Sequence, residues 1–250
     1  AKPLQVLGVT VYAVGIGNRL NRQELVTITE SSEHIVNVTR FSDLLGQVEF
    51  IARLIDITIT APCRETLDVG FVIDASGSMG LDKFSREKNF LKLVSRRFVD
   101  SSPDTRLGLI SFSDTAKLFA DFVEFERMGI DQFQKILDEL PYQGGRTRID
   151  RALMAASQHL FTKRRPGVQR VLVLVSDGRQ SKDPDSRPLK SAVKPLTGQR
   201  VKVIAVGFGD NLHTEDLTTL TGSADNILSE KVIGDIDRLQ RELVSKACSA

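Results

Sequence analysis

Hydrophobic and polar positions fall into two alternating patterns over most of the chain. Leu67–Asp74 (LDVGFVID) is a short apolar run that ends in a polar, glycine-containing turn, the mark of a buried strand. Apolar residues at Phe84, Leu91, Val94 and Phe98 then line one face of a helix. Leu107–Phe112 and Lys117–Phe122 read as two strands joined at hairpin spacing by Ser113-Asp114-Thr115. Phe133, Ile136, Leu137 and Leu140 follow helical spacing, with Pro141 as the stop. Ile149, Ala152, Leu153, Ala156 and Leu160 predict another helix. Val171–Ser176 opens with five apolar residues, as a parallel strand covered on both faces should. Further on, Leu189, Ala192, Val193 and Leu196 mark a helix and Val201–Val206 a strand. Leu217 and Leu220 mark a short helix, and Ile236, Leu239 and Leu243 the last one, at about 234–246.

Strands alternating with helices predict an α/β fold. It is a doubly wound, mostly parallel sheet with helices on both faces and one antiparallel strand at an edge. In such sheets the binding crevice lies at the carboxyl ends of the strands, so functional groups are sought in the loops just after them.

The pattern also repeats. VYAVGIGN at 11–18 returns as VIAVGFGD at 203–210, an offset of 192 positions. The register continues through Leu20/Leu212, Leu25/Leu217, Ile28/Leu220, Ser31/Ser223, Ile35/Ile227 and Asp43/Asp235. Shared pieces of this length point to tandem copies of one unit. The expected organisation is therefore the C-terminal part of an upstream repeat over 1–60, a linker over 61–66 and a complete domain over 67–250. One strand and two short helices bury too little apolar surface to repay chain ordering. Segment 1–60 thus calls for an upstream portion, a partner chain, or exchange of elements between chains.

Composition narrows the class. Apolar residues make up 41% of the 250 and charged residues 26%, with a net charge of +2. That balance excludes a wholly disordered or collagenous chain. No apolar stretch approaches the roughly 20 residues of a bilayer helix. No basic stripe suggests nucleic acid, and no basic amphipathic face suggests a membrane surface. Lys163-Arg164-Arg165 reads as a solvated loop, with an acidic glycan or a collagen rim as the alternative contact.

Two cysteines, Cys63 and Cys248, flank the patterned stretch 67–245. They are either two buried thiols or a bridge joining the domain's ends. Cys63 could instead close the upstream repeat, although Cys248 maps onto Asp56 there; the Cys63–Cys248 pairing is favoured. The chain-entropy model gives about 5 kcal/mol for so large a loop, and a persistent bridge implies an oxidising compartment. Asn37-Val38-Thr39 is a glycosylation sequon consistent with secretion.

Three loops place oxygen donors at one end of the sheet: Asp74-Ala75-Ser76-Gly77-Ser78, Ser176-Asp177-Gly178 and Gly144-Gly145-Arg146-Thr147. Asp74, Ser76, Ser78, Thr147 and Asp177 are two carboxylates and three hydroxyls without His or Cys. Such hard oxygen donors suit Mg²⁺ first, then Mn²⁺ or Ca²⁺, rather than Zn²⁺. The alternate spacing of Asp74, Ser76 and Ser78 lets a tight loop aim all three inward.

DxSxS after the first strand, GGxT before a helix and a strand ending in Asp-Gly resemble the metal-ion-dependent adhesion site of von Willebrand factor A domains. The likeness spans about 67–246, and residues 9–56 resemble the end of a second such domain. The flanking cysteines are similar to those of the extracellular-matrix branch: von Willebrand factor, matrilins and non-fibrillar collagens. The resemblance implies that Ser76 and Ser78 bind the metal directly and Thr147 directly or through water. It implies that Asp74 and Asp177 act largely through water and by hydrogen-bonding the hydroxyls. Neutral ligands leave the ion short of negative charge, so a partner's Glu or Asp can complete its shell. Ile149-Asp150 stands where the family often has Thr-Gly. Asp150 adds a carboxylate at the ligand rim, with Arg146 and Arg148 to offset its repulsion.

A Ser/His/Asp hydrolase fails on position, since no G-x-S-x-G elbow exists and His159 and His213 do not follow a strand facing Ser76 or Ser78. VGFGD lacks the third glycine of a dinucleotide loop. The expected function is a secreted extracellular-matrix adhesion module, not an enzyme, binding a matrix protein, most plausibly collagen, at a divalent-cation site. The alternatives are a scaffold whose domains self-associate into filaments and a regulatory module of a larger enzyme.

Overall fold

A computed structural model describes residues 11–18, 20–29, 31–40, 42–43, 65–209 and 211–249. The chain divides into two compact units, 1–60 and 61–250. Cys63 and the 61–64 part of the expected linker lie outside the described residues.

In the first unit, β1 (Ala13–Ile16) runs parallel to β2 (Ile35–Val38), joined through α1 (Arg22–Thr29) and a short turn at Ser32–His34. This unit has the geometry of the chain's end. With the second unit's β7 (Val201–Gly207), α7 (Thr214–Thr221) and β8 (Ile227–Ser229), the register Ala13↔Ile35 has the same offset partners as Ala205↔Ile227. The Thr29 hydroxyl bonds to the carbonyls of Leu25 and Ser31, and that of Thr221 to those of Leu217 and Ser223.

The second unit is the expected doubly wound α/β layer structure. Its other strands are β3 (Leu67–Asp74), β4 (Arg106–Phe112), β5 (Ala116–Ala120) and β6 (Gln169–Val175), and the sheet order is β5-β4-β3-β6-β7-β8. All neighbours are parallel except β5, which pairs antiparallel with β4 at the edge. Strand alternation sorts the core onto the two faces. Val69, Phe71, Ile73, Val171, Val173 and Val175 face one side. There α2 (Gly80–Ser101), α3 (Phe122–Glu139) and α9 (Ile236–Cys248) cover the sheet with Phe84, Phe90, Phe98, Phe133, Leu239 and Leu243. Val72, Leu172 and Leu174 face the other side, under α4 (Ile149–Ala155), α5 (Leu189–Ala192), α6 (Lys194–Gly198) and α7. The short helix α8 (Glu230–Ile233) follows β8.

Several boundaries differ from the sequence pattern. The third helix starts at Phe122 rather than near Phe133, because Asp121 and Glu124 form a reciprocal capping box and Gly129 bends the chain between two helical pieces. The helix expected over 189–196 is two short ones, since Pro195 restarts it. Helix α4 continues as a π-type turn over Ala156–Leu160, which carries His159. That turn presses Leu160 onto paired Gly70 and Gly108, where an added Cβ would come within 2.9 and 2.6 Å of its methyls.

At the amino ends of the strands, Asp68 is fully buried and accepts two hydrogen bonds of 2.8 Å from Arg106 and one of 2.6 Å from Arg165. The basic run 163–165 is thus not simply solvated, because its last member closes this ion cluster. Breaking a buried pair by removing one member leaves uncompensated charge. Asp68→Ala is expected to cost about 3 kcal/mol in urea unfolding while leaving divalent-cation uptake at the opposite end of the sheet intact.

Candidate metal centre

The loops after β3 and before α4 are zipped together by backbone. Gly144 N–H donates to the Ala75 carbonyl and Gly77 N–H to the Gly145 carbonyl, each at 2.9 Å. Gly144 and Gly145 both have positive φ, near 68° and 76°, and a Cβ on Gly145 would meet the Asp114 carboxylate. A side chain at either would therefore strain the turn. The loop after β6 is tied to the same place: Ser181 N–H donates to the Thr147 carbonyl at 2.9 Å, and Thr147 N–H donates to the Ser181 hydroxyl at 3.0 Å.

This scaffold brings three hydroxyls into a triangle. Thr147 Oγ1 is 2.8 Å from Ser76 Oγ, Ser76 Oγ is 3.1 Å from Ser78 Oγ, and Ser78 Oγ is 3.3 Å from Thr147 Oγ1. Oxygens about 2.1 Å from an octahedral centre lie about 3 Å from each other, whereas calcium's longer bonds of about 2.4 Å widen the edge to about 3.4 Å. The triangle fits one face of an octahedral oxygen shell of the smaller kind. Ser76 and Thr147 are buried and Ser78 is exposed, so the face opens to solvent on one side. No group of three His, Cys, Asp or Glu side chains able to hold a metal occurs among the described residues, and the oxygens that converge here are hydroxyls.

Asp74 is fully buried behind the triangle. One carboxylate oxygen accepts from Ser76 N–H at 2.9 Å and the other from the Ser176 hydroxyl at 2.7 Å. Burial pushes its pKa up to about 6, against the hydrogen bonds of Ser76 and Ser176 and with help from the nearby Asp177 charge. Asp177 is half-buried and accepts from Arg179 N–H at 3.0 Å. Glu87, on the same helical face as Phe84, is fully buried with both carboxyl oxygens lacking a hydrogen-bond partner. Burial, then the charges of Asp74 and Asp177, raise its pKa well above the ordinary range despite Lys83 and Arg86. The Phe84–Phe98 helical pattern contains Glu87 on its apolar side, a signal the reading of apolar positions alone passed over.

The expected ligand rim needs correction. Arg148 and Asp150 are 3% and 2% exposed and bond each other at 2.9 Å twice over. Burial alone would raise the Asp150 carboxyl, but hydrogen bonds from Arg148 and the backbone of Arg187 and Arg151 hold it below its ordinary value. Arg148 also bonds Asp185 at 3.0 Å, so the pair staples α4 to the loop after β6. Arg146 stays at the surface, paired with Asp183 at 2.9 Å. His213 is also placed differently: its N–H bonds to the Asp177 carbonyl at 2.9 Å, and its side chain lines a cleft with Ser78 and Asp177. Asn37 is exposed on β2. Cys248 ends α9 packed against the core and is not a free thiol.

A doubly wound sheet whose carboxyl-end loops bring hydroxyls and carboxylates together defines an open-sheet α/β module with an oxygen-donor site at that end. The chain belongs to the von Willebrand factor type A domain family, whose model matches residues 68–242. Among its relatives, von Willebrand factor A domain-containing protein 2 of Xenopus laevis is 26% identical over 95% of this chain and 30% of its own length. The collagen alpha-6(VI) chain of Mus musculus is 26% identical over all of this chain and 11% of its own length. The chain thus spans less than a third of these curated relatives. A solved structure of proximal thread matrix protein 1 from the mussel byssus, with zinc in its MIDAS motif, has a TM-score of 0.64 at 24% identity. That match covers 99% of this chain and 62% of the other.

A cation held at the triangle would compete with the Asp74 proton. In the metal-free chain the folded state holds the Asp74 proton more tightly than the unfolded one. The stability Asp74 contributes is therefore fully present below about pH 4 and lost as pH rises through about 6. The rise in Tm produced by Mg²⁺ should accordingly shrink between pH 7.5 and pH 5, as measured by thermal unfolding in matched ionic strength. Ser76→Ala should abolish that rise at both pH values.

Proposed function

We propose that the chain is a secreted, non-enzymatic adhesion module of the extracellular matrix. In this reading residues 1–60 carry the C-terminal part of one A-type repeat, 61–66 a linker and 67–250 a complete A domain. Ser76, Ser78 and Thr147 hold a divalent cation, Mg²⁺ before Mn²⁺ or Ca²⁺, with Asp74 and Asp177 orienting the hydroxyls and bound water. The partner is a matrix protein, collagen in the first instance. The disulfide joins Cys63 to Cys248, and Asn37 carries the glycan.

The hydroxyl triangle carries this proposal. Three neutral oxygens on one open face satisfy the geometry of a small divalent ion without satisfying its charge. A carboxylate from outside supplies that charge, which makes a protein ligand part of the coordination shell. Burial favours the protonated form of Glu87, whereas Asp74, with its pKa raised to about 6, is mostly ionised at neutral pH. The relatives named as collagen VI chains, von Willebrand factor A domain-containing protein 2 and cuticlin-6 of Caenorhabditis elegans support the matrix setting. No helix among the described residues is long and apolar enough to cross a membrane. His213 lies beside Ser78, but its ring nitrogen Nδ1 faces Asp216 at 3.8 Å and no bond links it to Ser78. A nucleophile–base pair therefore has no geometric support.

Binding of the full chain to immobilised collagen is expected to require Mg²⁺, to vanish with chelator and to fall at least tenfold in Ser76→Ala. Binding indifferent to both would place the interface elsewhere. No binding, with self-association on sedimentation, would favour a filament scaffold. Mass measurement after alkylation should show no modified cysteine before reduction and two after it.

A further inference from the structure

The ions around the metal loops are distributed unevenly. On the side of α4, three arginines have acids: Arg146 pairs with Asp183, Arg148 with Asp150 and Arg151 with Asp185. On the opposite side, Lys83 at the start of α2 and Arg179 just past Asp177 make no ion pair among the described residues. Lys83 lies over Gly209, where an added Cβ would sit 3.2 Å from its Nζ, so close packing against backbone directs the ammonium group across the loop after β7.

These two cations line a cleft of about 580 Å³ together with Ser78, Asp177, Phe208 and Asn211. A second cleft of about 480 Å³ continues from it, sharing Lys83 and Asn211. One wall of the first cleft is therefore the exposed corner of the hydroxyl triangle. Phe208 also borders the cleft, with its ring buried in the core against Phe90, and Asn211 adds an amide.

Resting on the metal-bridging reading, we propose that this cleft is a second acid subsite. It takes a further carboxylate of the same protein segment whose first carboxylate completes the metal shell. Lys83 and Arg179 receive the carboxylate, and the Asn211 amide can donate to it. The site selects acidic segments carrying at least two carboxylates, rather than any lone acidic residue. A sulfated glycan fits less well. Such chains need an extended basic strip, whereas this cleft is short.

The test compares the Mg²⁺-loaded full chain binding two blocked heptapeptides. One has a single central glutamate among glycines, and the other has glutamates at its second, fourth and sixth positions. The triple-glutamate peptide should bind about tenfold more tightly, in line with two partly exposed charge contacts, and the gap should narrow with added salt. Lys83→Gln/Arg179→Gln should reduce the preference to parity. Lys190→Gln/Lys194→Gln, the same change of charge on α5 and α6, should retain it. Equal affinities in the wild-type chain, with both peptides still released by chelator, overturn the subsite and leave the metal bridge standing. Binding of both peptides in chelator overturns the bridge and the subsite together. A heparin fragment that binds the chelated chain more tightly than either peptide binds the loaded one, and is lost in Lys83→Gln/Arg179→Gln, assigns the cleft to a glycan and overturns the proposal.

Discussion

Three hydroxyl oxygens about 3 Å apart must be held together although they come from loops some 70 residues apart in sequence. No pair of hydroxyls attracts strongly enough to hold such loops together, since a neutral hydrogen bond contributes about 1 kcal/mol net. The positions are enforced by the sheet. Parallel pairing of β3 with β4 and β6 delivers the first and third loops to the same end, and the crossover helices return each strand to that register. Backbone hydrogen bonds between Gly77 and Gly145, and between Gly144 and Ala75, then lock the second loop to the first. The site is preorganised by main chain, and the side chains follow.

Charge is managed around that triangle by burial on one side and pairing on another. Asp74 and Glu87 are sealed from water, which lifts both pKa values and favours the protonated form of Glu87, while Asp74 stays mostly ionised at neutral pH. The arginines on the α4 side are consumed by their own carboxylates, and Asp150 turns a surface position into part of an internal staple. What is left facing outward is a polar corner flanked by Lys83 and Arg179. The electrostatic character of this face thus depends less on the chain's small net charge than on which ions find partners inside it.

The architecture was largely legible because each strand is a contiguous apolar run and each long helix repeats at its own period. Val171–Val175 and Phe84–Phe98 leave little ambiguity of that sort. Local chemistry that overrides period was harder to see. The Asp121–Glu124 capping box starts a helix at Phe122, eleven residues before its apolar stripe becomes regular at Phe133, and β8 is three residues long with one buried side chain. The five oxygen donors stand out because four lie at or just after strand ends and Thr147 opens a helix, all at one end of a doubly wound sheet. Arg148 and Asp150 looked like rim residues since charged side chains are usually exposed. Their mutual pairing two positions apart, with Asp185 from a distant loop, could not be inferred from spacing. His213 entered the cleft because the loop after β7 folds back onto Asp177, a tertiary contact with no local signature.

The duplicated geometry separates framework from function. At the constant offset of 192, β1, α1 and β2 reproduce β7, α7 and β8 down to the register and the hydroxyl bonds of Thr29 and Thr221, although many intervening residues differ. The positions that survive are those that pack or cap: Leu25 and Leu217 within the helices, Ile35 and Ile227 at the strand starts, and Gly15 and Gly207 closed over by Leu20 and Leu212. The position of the cleft residue His213 is taken by Asn21 in the other copy. A shared backbone therefore does not carry a shared ligand face. The strand–helix–strand unit is maintained by packing, and the chemistry at its rim varies independently of it.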